Sequence, residues 1–138
     1  MNYCNMENID YGLLIKTIDN YSDEAYRIFK KLYNENLKSK TNIIQYGTSA
    51  AFERVEWEES DENNICIRYY DYYYDLYDSS TLVIPANILF NDKEIDKWIQ
   101  GLIYDALKNI EERKQKAELM NEEKEKLEYE RLKAKFEN

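Results

Sequence analysis

The chain has 138 residues, 43% hydrophobic and 34% charged, with 14 tyrosines, no histidine and a formal net charge of −9. That length holds one modest core rather than two. Three glycines and one proline exclude glycine-loop nucleotide enzymes and many-stranded barrels; the lack of histidine excludes serine and cysteine triads of the common kind, leaving carboxylate-pair or lysine chemistry formally open.

The opening residues carry no basic leader, and the apolar run Leu13, Leu14, Ile15 is too short to span a bilayer, so neither a signal peptide nor a membrane segment is expected. Cys4 and Cys66 form no CxxC pair, so a zinc site would need an unusual ligand set. The expectation is a protein of the reducing cytoplasm with no cofactor and no metal.

Two helices are predicted first. Ile9, Leu13, Leu14 and Ile18 share helical spacing over residues 9–19. Ser22 is placed to cap a second helix over 23–38, with Asp23 and Glu24 at its positive end and Ala25, Phe29, Leu32 and Tyr33 as its apolar stripe.

The period then changes to two. In AFERVEWEE, Val55 and Trp57 alternate with Arg54, Glu56 and Glu58, which predicts a strand with one wet face at about 50–58. SDENN reads as a loop. In ICIRYYDYYYD, Ile65, Ile67 and Tyr69 continue the dry face while Cys66, Arg68, Tyr70, Tyr72 and Tyr74 continue the other, over about 65–74. Two registers compete for this hairpin. One sets Arg54 opposite Arg68; the other sets Glu56 opposite Arg68 and Arg54 opposite Tyr70, with Val55 facing Tyr69 and Trp57 facing Ile67. Cross-strand charge pairing favours the second by ~1 kcal/mol, and it is the register predicted.

DSS reads as a turn, and a third strand at about 80–86 ends at Pro85, which cannot donate to a ladder. Asn91 three residues before Glu94 is a helix-start signal, and only Gly101 weakens the helix that runs from there to the end. Ile95, Trp98, Ile99, Leu102, Ile103, Ala106, Leu107 and Ile110 form a broad stripe suited to the dry face of the sheet. Beyond Ile110 the helix is mostly Glu, Lys and Arg around isolated Ala117, Met120, Leu127 and Ala134, with Leu119, Leu132 and Phe136 off that line. Lys116, Glu123 and Glu130 interrupt the companion seam, so a strong coiled coil is not predicted. A solvated helix held by Glu–Lys pairs and a weak self-association helix both remain. The fold class expected is α+β: N-terminal helices, a three-stranded antiparallel meander and a long C-terminal helix packed on the sheet by its first half, with residues 1–110 as the domain and 111–138 as a charged helical extension.

Charge is not spread evenly. Residues 50–78 hold nine acids against two bases, whereas 1–49 hold six against six, 79–110 four against three, and 111–138 nine against eight. Such a segment repels nucleic acid and anionic membranes and attracts basic protein surfaces. Residues 66–80 add six tyrosines, a residue type that serves equally as half-buried wall, as protein-binding face or as stacking platform. The candidate partner-binding residues are Glu56, Glu58, Glu59, Asp61, Glu62, Arg68, Tyr70, Tyr72, Tyr74 and Asp75. Neighbouring carboxylates such as Glu58 and Glu59 point to opposite faces of a strand and make poor metal co-ligands.

The succession of Trp57-Glu58, a tyrosine-rich strand, a strand ending IPANIL with Pro85 and Leu89, an acidic helix start and a charged helix ending YERLKAKFE resembles a group of small uncharacterised proteins of tailed bacteriophages, over about residues 55–138. The resemblance implies a phage or prophage origin and supplies no ligand or catalytic residue. In that setting the expected activity is non-enzymatic: host takeover or anti-defence by an acidic nucleic-acid mimic that inhibits or modulates a host protein with a basic surface. Two alternatives remain, a structural protein assembling as a homo-oligomer through the C-terminal helix, and a protein that sequesters a nucleotide signal among its tyrosines.

Overall fold

The computed structural model describes residues 10–137 except Tyr74, with the backbone alone at 75–77. In chain order it has helix α1 (Tyr11–Ser39), strands β1 (Ala50–Val55), β2 (Asn64–Asp71) and β3 (Asp75–Pro85), and helix α2 (Asp92–Glu137), with short 3-10 turns at Gly47–Ser49, Trp57–Glu59 and Ala86–Ile88. The three strands pair antiparallel in the order β1-β2-β3. The α+β meander between helices is therefore as expected. The chain divides into two compact units, 1–103 and 104–138.

The expected N-terminal helical pair is a single helix. Asp10, not Ser22, caps it: its Oδ1 accepts the Leu13 N–H at 3.0 Å. Nothing between residues 19 and 23 interrupts it, because Tyr21 and Ser22 are tolerated inside a helix whose following turns are anchored by tertiary packing. That packing starts late. Leu13, Leu14, Ile15 and Ile18 are exposed, whereas Ala25, Ile28, Phe29 and Leu32 are buried. Ile9 falls outside the described residues. The helix ends at Lys40, which takes a left-handed conformation (φ 57°) so that its N–H reaches the Leu37 carbonyl.

Asn36 organises the exit from α1. Buried in the last turn, its Oδ1 accepts from the Thr41 hydroxyl at 3.0 Å and from the N–H groups of Ile43 at 2.9 Å and Ile44 at 3.2 Å. One side chain thereby satisfies the backbone of the loop that delivers Ile44 into the core.

The register of β1 on β2 overturns the prediction. Arg54 stands opposite Arg68 and Val55 opposite Ile67, while Phe52 faces Tyr69 and Ala51 faces Tyr70, with an irregularity between Phe52 and Arg54. Glu53 is the extra residue of a β-bulge. The gain is apolar: with one residue inserted, Phe52 and Val55, three apart, share the dry face. Phe52 then packs its ring 5.8 Å from Phe29 and 5.3 Å from Tyr26. Burying these side chains outweighs a surface charge pairing of ~1 kcal/mol. β1 also ends at Val55 rather than near residue 58, so Trp57 does not face Ile67; it sits in a 3-10 turn, 43% exposed.

β3 starts five residues earlier than expected: Asp78, Ser79 and Ser80 lie within it, opposite Ser79's partner Tyr70 and Ser80's partner Tyr69, and the turn falls at Tyr72 and Tyr73. Pro85 closes the strand as predicted. Asn91 starts α2 as predicted, its Oδ1 accepting the Glu94 N–H at 3.2 Å. Ile95, Ile99 and Ile103 join Ile28, Ile67, Tyr69 and Ile84 in one buried cluster, and Trp98 and Leu102 pack at its edge. Arg27 and Lys31 of α1 reach Asp92 and Asp96, the Arg27–Asp92 contact being 2.7 Å. The predicted stripe stops there, since Leu107 and Ile110 are exposed.

Candidate binding surface

The acidic residues of the predicted site separate into two kinds. Glu56 lies half-buried among the two arginines of the sheet, together with Glu53, which the sequence did not single out. Arg54 approaches Glu53 at 2.6 Å and Glu56 at 3.0 Å, and Arg68 approaches Glu53 at 3.3 Å and Glu56 at 3.8 Å while donating to the Ser79 hydroxyl at 2.8 Å. Two carboxylates and two guanidinium groups make a neutral square. Glu56 and Arg68, both predicted to meet a partner, are engaged with each other and with Arg54 and Glu53.

Glu58, Glu59 and Glu62 differ: they are exposed and have no ion-pair partner among the described residues. The turn that carries them is rigidly tied. Ser60 donates its hydroxyl to the Glu56 carbonyl at 2.8 Å and accepts the Cys66 N–H at 2.9 Å. Asp61 Oδ1 accepts from Asn63 and Asn64 N–H, both at 2.8 Å, and the Ala86 N–H bonds to the Asn63 carbonyl at 2.8 Å. Asp61 is thus a turn-forming residue first. Backbone held by its own hydrogen bonds presents charge without an ordering cost on binding.

The tyrosines divide as well. Tyr69 is wall, 2% exposed, its hydroxyl accepting the Gln45 N–H at 3.0 Å and its ring set against Phe29 and Tyr46. Tyr46 donates to Asp78 at 3.0 Å, and burial together with that carboxylate raises its phenol above the ordinary range. Tyr70 is half-buried. Tyr72 and Tyr73, 68% and 79% exposed, form a T-shaped pair 5.9 Å apart at the β2–β3 turn, where Asp71 Oδ1 accepts the Tyr73 N–H at 3.1 Å. Tyr74 lies outside the described residues, and of Asp75 only the backbone is described, paired with Asp71.

β2 runs between the two groups, the acidic turn before Asn64 and the tyrosine turn after Asp71. A strand of that length holds its ends ~23 Å apart. The predicted acidic, tyrosine-rich hairpin is two surfaces, not one. What sequence reasoning missed lies beside the acidic turn: Trp57, expected on the dry face, is turned out next to Glu58, and Phe90, in a left-handed conformation (φ 63°), is exposed with its ring 5.3 Å from Tyr21.

Cys66 is buried, and burial, reinforced by Glu59 and Glu56, pushes its thiol up. A thiol so placed is a poor nucleophile. Among the described residues no cluster of three or more acidic or cysteine side chains is arranged to hold a metal ion, and no helix is long and apolar enough to cross a membrane. No protein-family model, curated protein or solved structure matches the chain.

Proposed function

We propose that the protein is a non-enzymatic binding module that engages a basic surface of a partner protein through the turn between β1 and β2. The partner class that suits it is a bacterial host protein that handles nucleic acid, such as a defence nuclease, whose phosphate-binding groove the carboxylates occupy; the resemblance to tailed-phage proteins supplies that setting. One observation carries the reading. Glu58, Glu59 and Glu62 project from a turn fixed by the hydrogen bonds of Ser60 and Asp61 and tied to Ala86 through the Asn63 carbonyl, while the two arginines of the sheet are already paired with Glu53 and Glu56. A pre-formed acidic edge whose exposed carboxylates have no ion-pair partner among the described residues speeds encounter with basic surfaces, and the effect falls with salt.

The test is affinity capture from nuclease-treated bacterial lysate with wild type and with the triple variant Glu58→Gln, Glu59→Gln, Glu62→Gln, at low and raised salt, with the retained proteins identified. The expected result is one basic protein held by wild type at low salt and lost from the variant and the salt wash. Equal retention by both chains would overturn the reading.

A second reading rests on residues 104–137, where Leu119, Met120, Leu127, Leu132 and Phe136 are exposed on a charged helix. Self-association through them makes the protein an assembly element. Sedimentation of the full chain against a chain lacking 111–138 separates the two, because the deletion abolishes assembly and leaves capture by the acidic turn intact.

A further inference from the structure

Beside the acidic turn lies an open cleft of about 350 Å³, walled by Tyr21 of α1, Trp57, Ile65 of β2 and Leu89, with Asp61 and Glu62 on its lining. Its volume is at the small end of ligand pockets, room for one long side chain rather than a cofactor. Among the described residues no lysine or arginine lines it. Asp61 spends Oδ1 on two turn amides, and its other oxygen carries no hydrogen bond among the described residues. Phe90 continues the aromatic edge past Tyr21, held outward in a backbone conformation that bulky residues rarely adopt.

We propose that this cleft seats an arginine side chain presented by a basic segment of a partner protein. The inference rests on the acidic-turn reading above and names the group that the turn recognises. A guanidinium is flat, so it lies against the Trp57 indole and the Tyr21 ring, and it is a fork of donors, so it meets the Asp61 and Glu62 carboxylates at its edge. Its methylene stem covers Ile65 and Leu89, as long cationic side chains do on apolar surface. A lysine ammonium is more strongly hydrated and has no planar face to stack, so the cleft discriminates between the two cations. Glu58 and Glu59 on the same turn attract the rest of the basic segment without selecting within it.

The experiment uses the full chain carrying Trp98→Phe, which leaves Trp57 as its one tryptophan. Two capped peptides are titrated, alike in their flanking lysines and differing only in a central arginine or lysine, and Trp57 fluorescence and calorimetry are followed. The arginine peptide is expected to perturb Trp57 and to bind about tenfold more tightly. That preference is expected to vanish in Trp57→Leu, read by calorimetry alone, and to fall in Glu62→Gln, which alters an exposed side chain and leaves the fold intact; an unchanged melting temperature checks both variants. Equal affinity for the two peptides, or a preference that survives Trp57→Leu, would overturn the arginine seat while leaving the acidic-turn reading standing, because both peptides would still bind in a salt-dependent way. Failure of both peptides to bind overturns the seat too, and the acidic turn is then judged on the lysate capture alone.

Discussion

Arg54 and Arg68 stand directly across from each other on β1 and β2, an arrangement that like charges disfavour. It is made tolerable by Glu53, the bulge residue, which contacts both guanidinium groups and is 16% exposed at its side chain. Glu53→Gln keeps the shape and removes the charge, so it is expected to destabilise the fold by ~1–2 kcal/mol. Adding Arg54→Thr removes the repulsion and is expected to recover part of that loss. Urea unfolding of the two single variants and the double variant measures the coupling; purely additive effects would show that the square of charges is not a unit.

Asn36 is a second position where a small change has a large expected effect. Its Oδ1 satisfies two backbone N–H groups and one hydroxyl in a site that is 3% exposed. Asn36→Ala removes the acceptor of the Ile43 and Ile44 N–H groups, leaving the Thr41 hydroxyl only its contact with Ser39 at 2.9 Å, and is expected to cost about 1–3 kcal/mol. Asn36→Asp retains the accepting oxygen but buries a charge, and is expected to recover stability as pH falls and the carboxyl protonates. Thermal unfolding of both variants at pH 5 and pH 7.5 distinguishes a hydrogen-bonding role from a space-filling one.

These two residues also mark what was legible in the sequence. Alternation identified β1 and β2, the apolar run closed by Pro85 identified β3, and Asn91 with Glu94 marked the start of α2 because a capping residue has few other uses at that spacing. The β1 register was misread because charge pairing was weighed against nothing; the spacing of Phe52 and Val55, three apart within a strand, was the available sign of a bulge. Asn36 gave no local sign, since its partners at 41–44 are brought to it only when the chain folds back. The acidic turn and the tyrosines looked like one site because they are close in sequence, whereas a strand between two turns separates them. Trp57 looked like core because the alternation of β1 runs through it, and only the loss of strand geometry at Glu56 turns it outward.

The contact between Arg27 and Asp92 fastens the two helices over the sheet and sets a pH dependence. The hydrogen bond and charge of Arg27, aided by Lys31, hold the Asp92 carboxyl below the ordinary aspartate range. A carboxylate whose folded-state pKa is depressed contributes stability that is present above its unfolded pKa and is lost as pH falls through the folded value. Asp92→Asn is therefore expected to lower the melting temperature at neutral pH and to have little effect at strongly acidic pH, where the wild-type carboxyl is protonated too. A difference between the two proteins that stays constant from pH 7 to pH 2 would locate the effect in helix capping rather than in the ion pair.

Tyr72 and Tyr73 provide the test of whether the hairpin acts as one surface. Their rings are exposed and meet chiefly each other, at the opposite end of β2 from Glu58 and Glu62. A partner segment seated in the acidic turn would have to continue along the whole strand to reach them. The double variant Tyr72→Ser, Tyr73→Ser is accordingly expected to keep the wild-type affinity for the arginine peptide within about twofold, a difference of ~0.4 kcal/mol. Its stability is expected to change by less than ~1 kcal/mol, since exposed side chains away from caps and core contribute little. Loss of capture of a whole partner protein, with peptide affinity unchanged, would mean that the partner spans both turns; loss of peptide affinity as well would mean that the tyrosine turn positions the acidic one, against the separation that β2 imposes.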